Sequence, residues 1–265
     1  MKNIKVIVAT HKKYQMPEEN MYLPVFVGAE GKEENITKGY QRDDKGENIS
    51  GKNPYYCELT GLYWAWKNLD ADYIGLVHYR RYFTMEKHLP KDEENRFEVV
   101  LKEKETKKLL EEADILLPKK RHYYIENLYA HYIHTMYGET LEKTRNIIEN
   151  KYPEYLPEFD KLKKRTSAHM FNMFIMKREY LDKYCTFLFS VLDDLEKRVD
   201  ITKYDSFHAR FFGRISELLL DIWLETNHLN YKEIKVMDMQ PINWIHKGSS
   251  FLMAKFMGKK YEKSF

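Results

Sequence analysis

The stretch that most constrains this chain is Tyr73-Ile-Gly-Leu-Val-His-Tyr-Arg-Arg-Tyr-Phe83. Ile74 to Val77 is a short apolar run and reads as a buried strand, which directs the chain toward an α/β fold. The far end of that strand carries His78, Arg80 and Arg81. In open α/β sheets, ligands bind outside the carboxyl ends of the strands. A guanidinium offers a planar fork of donors and a permanent charge, which suits phosphate. Here the cations stand among Tyr79, Tyr82 and Phe83 rather than among polar residues, so an anion-binding edge explains them better than a solvated turn.

The surrounding pattern supplies the rest of a sheet. Ile4 to Thr10 is a β-branched run ending in Thr10, His11, Lys12 and Lys13, as a buried strand reaching a ligand edge does, and it places Thr10 and His11 beside a nucleotide. Leu23 to Val27 is a weaker strand. Thr37 to Lys52 is polar and glycine-punctuated, hence a loop. Its Asp44, Asn48 and Ser50 offer polar groups to a ribose, a base or a sugar hydroxyl, and an ordinary surface turn accounts for them equally well. Asn53 and Pro54 start a helix expected to run to about Asn68, with Asn53 a further candidate for the same polar ligand contacts. A helix through Leu109, a strand at Asp114–Leu117, short helices between Lys119 and Arg165, and a strand at Met173–Met176 follow. Apolar residues from Leu181 to Leu195, and again from Phe207 to Ile222, recur at steps of three and four, giving two amphipathic helices. Thr84 to Arg96 reads as a loop at the same edge as the arginines. The expected architecture is one Rossmann-like domain over residues 1–265, with a mostly parallel central sheet and added helices.

Bulk properties narrow the partners. A net charge of +3 over 265 residues is too small to make nucleic acid the main partner. Cys57 and Cys185, the only cysteines, fit no disulfide framework or zinc spacing and read as buried thiols of a reducing cytosol. The N-terminal apolar segment has no small-residue cleavage site, and no run reaches the length of a membrane span. The chain therefore reads as a soluble cytoplasmic protein. Its 21 tyrosines combine ring and hydroxyl in a way that suits sugar and base surfaces.

Candidate chemistry lies in a second segment, Tyr204 to Glu217. Asp205 stands at a helix entrance, where it is either a general base for a hydroxyl nucleophile or a plain N-cap. Glu217, between Ile215 and Leu218, is the second candidate base or else the ion-pair partner of Arg214. His169 and Asn172, just ahead of the strand at Met173, are the acceptor-side candidates. Asp70-Ala-Asp72 has the look of a metal-binding acidic motif, but it precedes its strand and so lies at the wrong end. Cationic His78, Arg80 and Arg81 at the right end neutralise a diphosphate directly, so no metal cofactor is expected. Asp43 and Asp44 are the remaining candidates should Mg²⁺ or Mn²⁺ bind.

Several motifs together resemble one bacterial family: Asp-Asp-Lys-Gly-Glu-Asn-Ile-Ser from Asp43, Tyr-Cys-Glu-Leu-Thr from Tyr56 and Tyr-Trp-Ala-Trp-Lys-Asn from Tyr63. Gly-Leu-Val-His-Tyr-Arg-Arg-Tyr-Phe from Gly75, Phe-Asn-Met-Phe-Ile-Met-Lys from Phe171 and Phe-Gly-Arg-Ile-Ser-Glu ending at Glu217 continue the likeness over nearly the whole chain. The family is that of capsular and exopolysaccharide biosynthesis proteins, long labelled a domain of unknown function, with galactofuranosyl-transferring members. The resemblance implies a GT-A-like fold and a hexosyltransferase that moves sugar, with galactose or galactofuranose the named possibility, from a UDP-sugar to a growing capsular or cell-surface glycan. It also implies a lipid-linked acceptor at the inner face of the membrane. Residues 247–265 form a basic, apolar tail that either adsorbs to an anionic bilayer or packs on the domain. The competing class is a non-catalytic glycan-binding module, for which a cationic strand edge has no use.

Overall fold

The computed structural model describes residues 2–240. Its strands are β1 (Ile4–Thr10), β2 (Tyr22–Phe26), β3 (Gln41–Arg42), β4 (Tyr73–His78), β5 (Arg81–Thr84), β6 (Ile115–Pro118), β7 (Arg121–His122), β8 (Ser167–Ala168), β9 (Phe174–Lys177) and β10 (Lys232–Asp238). The α-helices are α1 (Asn53–Tyr56), α2 (Leu59–Asn68), α3 (Glu93–Glu98), α4 (Glu103–Glu112), α5 (Leu128–Thr135), α6 (Gly138–Lys151), α7 (Leu156–Asp160), α8 (Arg178–Glu196) and α9 (Phe211–Thr226).

Eight strands form one sheet, and β7 pairs with β8 apart from it. Strands β3, β2, β1 and β4 run parallel; β2, β1 and β4 lie on the apolar runs, whereas β3 forms within the stretch expected to be loop. Beyond β4 the expectation of a mostly parallel sheet fails. Strand β9 is antiparallel to both β4 and β6, β10 is parallel to β6 but antiparallel to β5, and β5 returns on β4 at His78↔Arg81. The sheet is therefore mixed, and β4, β5, β10, β6 and β9 close into a ring. A short apolar strand does not encode its own direction, which the connections set. Gly75 permits the β4–β9 contact: a Cβ there would stand 2.8 Å from the carbonyl oxygen of Phe174.

Alternation along the strands sends side chains to two cores. Ile7, Ala9, Ile74 and Leu76 join the core beneath α2, α8 and α9, while Val6, Val8, Tyr73 and Val77 join the core beneath α4. Both predicted helices form, the second over Phe211–Thr226 rather than from Phe207. Helix α8 buries Leu181, Tyr184, Cys185, Leu188, Val191, Leu192 and Leu195. Helix α9 buries residues on almost every face, so it carries Glu217 and Asp221 into the interior.

The long helix expected from Asn53 is broken. Cys57 adopts φ 53°, ending α1, and α2 begins two residues later. Strand β10 is absent from the sequence reading, and α6 extends for 14 residues where only short helices are expected. The tail at 247–265 lies outside the described residues.

Candidate active site

Strands β1, β4 and β6 share a direction, so their carboxyl ends share one edge of the sheet. Helices α2 and α9 start at that edge, as does β9. Thr10 and His11 end β1, and His78 ends β4. The Thr10 side chain is buried and donates to the Lys12 carbonyl at 2.6 Å, fixing the turn that presents His11. The His11 ring then meets Tyr14 and Tyr79 edge-on, and those two tyrosines stack at 3.9 Å.

His11 is the centre of a cationic field. Its pKa is held below the usual 6.5, first by burial and then by Lys12, Arg80, Lys32 and Arg210. Those four side chains come from the β1 loop, the β4–β5 turn, the β2 loop and the entrance of α9, and all are exposed. Among the described residues, none of the four has a carboxylate in ion-pair contact. Like charges repel, so their convergence without counter-charges leaves a positive field at the edge that an anion would relieve. Arg81 differs. It pairs with Asp238 at 2.9 Å and lies 4.3 Å over the Phe171 ring. The end of β10 holds this turn, since Met239 N–H donates to the Arg80 carbonyl at 2.8 Å. Of the expected trio His78, Arg80 and Arg81, only Arg80 stands in the group around His11, whose other members are Lys12, Lys32 and Arg210.

A strained turn floors the neighbouring space. Phe171 and Asn172 have φ 79° and φ 53°, both left-handed and neither glycine. Such geometry costs on the order of 1–3 kcal/mol per residue and persists only where the surroundings impose it. Here His78 Nε2 bonds the Phe171 carbonyl at 2.6 Å, and Phe171 N–H donates to Glu217 Oε1 at 3.0 Å. The Asn172 amide donates to Glu58 Oε1 at 2.7 Å and to the Gly213 carbonyl at 3.1 Å, while Ser216 donates to Asn172 Oδ1 at 2.8 Å. Glu217 also pairs with Arg214 at 3.4 Å. Its carboxylate is almost fully buried and occupied from both sides.

Other predicted residues stand elsewhere. Asp43 is fully buried and accepts from Gly28 N–H, Ala29 N–H, Ser50 Oγ and Thr60 Oγ1 at 2.5–3.0 Å. That set leaves neither oxygen bare for a metal, and it commits Ser50 to the support of the β2 loop. Asn53 packs against Gly28 (φ +65°), where a Cβ would collide with its amide, and donates to the Cys57 carbonyl at 2.8 Å. Asp44 forms a two-point pair with Arg42 at 3.0 and 2.7 Å, which holds its carboxyl below the usual range. Asn48 closes a local turn through the Gly46 carbonyl and Ser50 N–H. The side chains of Asp44, Asn48, Ser50 and Asn53 are thus engaged in hydrogen bonds within the β2–α1 region.

Asp205 is exposed. It accepts from Phe207 N–H and His208 N–H at 2.9 and 3.0 Å and from His208 Nδ1 at 2.6 Å. The His208 amide and ring hold its pKa down. This is the helix-entrance cap, with both oxygens engaged. His169 is 0% exposed, with Asp221 on Nδ1 and Glu233 on Nε2 at 3.0 Å. A ring enclosed this way cannot meet an acceptor, so its acceptor-side role is corrected to that of a buried brace. The feature the sequence reading missed is Glu58, the residue ahead of α2, because the helix looked continuous across it. Among the described residues no cluster of His, Cys, Asp or Glu is arranged to hold a metal, and no helix is long and apolar enough to cross a membrane.

The fold is a mixed α/β sheet with cationic side chains gathered at its carboxyl-end edge. The chain belongs to the family described as "Domain of unknown function (DUF4422)", which matches residues 5–228. No curated protein matches it. Among solved structures it is similar to the bifunctional glycosyltransferase WbbM in its apo form, with 31% identity, a TM-score of 0.81, and coverage of 89% of this chain and 45% of that one. The chain thus spans under half the length of that protein.

Proposed function

We propose that this chain is a glycosyltransferase that moves a sugar from a UDP-sugar donor to a growing polysaccharide. The observation that carries the reading is the convergence of Lys12, Lys32, Arg80 and Arg210 on His11 at the carboxyl-end edge. On transfer the nucleoside diphosphate departs with one more negative charge than it carried in the donor, and cations preset where that charge develops lower the barrier to its departure. The likeness to a bifunctional glycosyltransferase supports the same class. Galactose, as pyranose or furanose, is the first donor sugar to test, by the motif resemblance.

The diphosphate lies against Arg80, Arg210 and the two lysines, with the base and ribose along the wall built by Asp44, Asn48, Ser50 and Asn53. The acceptor glycan enters over the small lobe formed by β7 and β8, which rises from the end of β6. There Tyr124 is 93% exposed and nearly parallel to the His122 ring, at 25° and 6.2 Å between ring centres. Aromatic faces of this kind stack on the C–H faces of sugars while the hydroxyls stay hydrated. A lipid-linked capsular acceptor would put the enzyme at the inner face of the membrane.

Calorimetric titration with UDP tests the reading. Binding that weakens with salt is expected, whereas a glycan-binding module ignores the nucleotide. Turnover of a UDP-sugar panel should be equal in excess EDTA and in Mg²⁺, since side-chain cations hold the diphosphate. A metal requirement would remove that part of the proposal.

A further inference from the structure

We infer that Glu58 is the general base that activates the acceptor hydroxyl, an assignment that rests on the transferase reading above. Four observations converge on it. First, the φ 53° break at Cys57 turns Glu58 out of the α1–α2 path and sets it ahead of α2, at the edge where β1 and β4 end. Second, one of its oxygens is fixed by the Asn172 amide at 2.7 Å, and Asn172 is itself locked by Gly213, Ser216 and a left-handed backbone. Third, Glu58 Oε2 accepts no hydrogen bond among the described residues, and the side chain is only half-buried. Fourth, Glu58 lies within the electrostatic reach of Arg214, and its neighbour Cys57 within that of Arg210 and Arg214, at the entrance of α9. A carboxylate with one oxygen held and the other bare is oriented for proton abstraction without being spent on structure. Asp205 and Glu217 lack that bare oxygen.

In the step this predicts, the acceptor O–H proton passes to Glu58 Oε2 as the acceptor oxygen bonds to the anomeric carbon. The bond from that carbon to the β-phosphate oxygen breaks, and its electron pair leaves on UDP, where Arg80 and Arg210 receive the charge. Attack opposite the leaving group inverts the anomeric centre. The strain at Phe171–Asn172 serves to aim the base.

The test compares wild type with Glu58→Gln and Glu58→Asp, using UDP binding and UDP release from UDP-galactose, UDP-galactofuranose and UDP-glucose, with water as the acceptor. Gln retains the bond to Asn172, so melting temperature and UDP affinity should hold, while turnover falls on the order of a hundredfold or more. The acid limb of the pH–rate profile should vanish in Glu58→Gln and persist, at a reduced rate, in Glu58→Asp. Turnover within about tenfold of wild type in Glu58→Gln overturns the assignment and leaves the transferase reading standing. Should Glu58→Gln unfold, a wild-type-like rate and profile in Glu58→Asp overturns it equally. Failure of wild type to bind UDP, or to turn over any donor, instead removes the transferase reading and Glu58's role with it.

Discussion

The two adjacent arginines of the β4–β5 turn should behave differently, although the sequence presents them as equivalents. Arg80 is exposed, leans on the ring of Tyr79 and belongs to the unpaired set around His11. Arg81 is committed to Asp238 and to the Phe171 ring. Opposite charges about 5 Å apart attract by about 0.8 kcal/mol in water and about 3 kcal/mol at an effective dielectric of about 20. Arg80 stands near the watery limit, so its share of diphosphate binding is about 1–2 kcal/mol, or about 5–30-fold in Kd. Arg80→Met should weaken UDP by that factor, measured calorimetrically at low salt, and leave the melting temperature unchanged. Arg81→Met frees a partly buried carboxylate on β10, at a cost of about 1–2 kcal/mol, which lowers the melting temperature by about 2–8 °C. Its effect on UDP should be the smaller of the two. Unaltered UDP affinity in Arg80→Met, or the same profile in both variants, would refute the placement of the diphosphate.

Three further outcomes follow from the geometry. His11 starts below its ordinary pKa because burial and four cations oppose its proton. A bound diphosphate raises it, so binding of UDP-galactose should take up a proton and tighten as pH falls from 8 toward 6, and His11→Gln should flatten that slope. Asp205→Ala should cost about 0.5–2 kcal/mol through the lost cap, without a collapse in turnover. Because the folded pKa of Asp205 is depressed, its ionised contribution is present above the unfolded value near 3.9 and is lost as pH falls through the lower folded one, so mutant and wild-type melting curves should converge in acid. Tyr124→Ala should raise the acceptor KM about 2–10-fold, the worth of one aromatic stacking contact, with kcat and UDP affinity unchanged.

How much of this was legible beforehand depended on whether the signal was local. The apolar runs of β1 and β4 and the three-and-four spacing of α8 and α9 are local, and each element forms where the pattern puts it. Strand β10 escaped notice because Lys232-Glu-Ile-Lys-Val-Met-Asp buries only Ile234 and Met237, a spacing that breaks the period of two. The direction of β9 depends on connections no window contains. The site followed the same division. His78 and Arg80 could be read from a strand end, whereas Lys32 and Arg210 become neighbours of His11 only after the chain closes. Glu58 was hidden for another reason: the residues around it read as one helix, and nothing in Tyr-Cys-Glu-Leu-Thr announces the positive φ at Cys57. His169 misled because a histidine before a strand looks available, and only the fold reveals Asp221 and Glu233 on its two nitrogens.

The closed ring of β4, β5, β10, β6 and β9 also bears on how the molecule meets its neighbours. Once those five strands have satisfied one another, the main sheet keeps one free border among the described residues, where the two-residue β3 covers only Val25 and Phe26 of β2. A border so short offers little template for another chain to extend, and Arg42 within it is already tied to Asp44. The sheet is thereby protected from edge-on self-association at high concentration. A further module joined to this chain would have to dock by its surface, since the main sheet has almost no strand left to lend it.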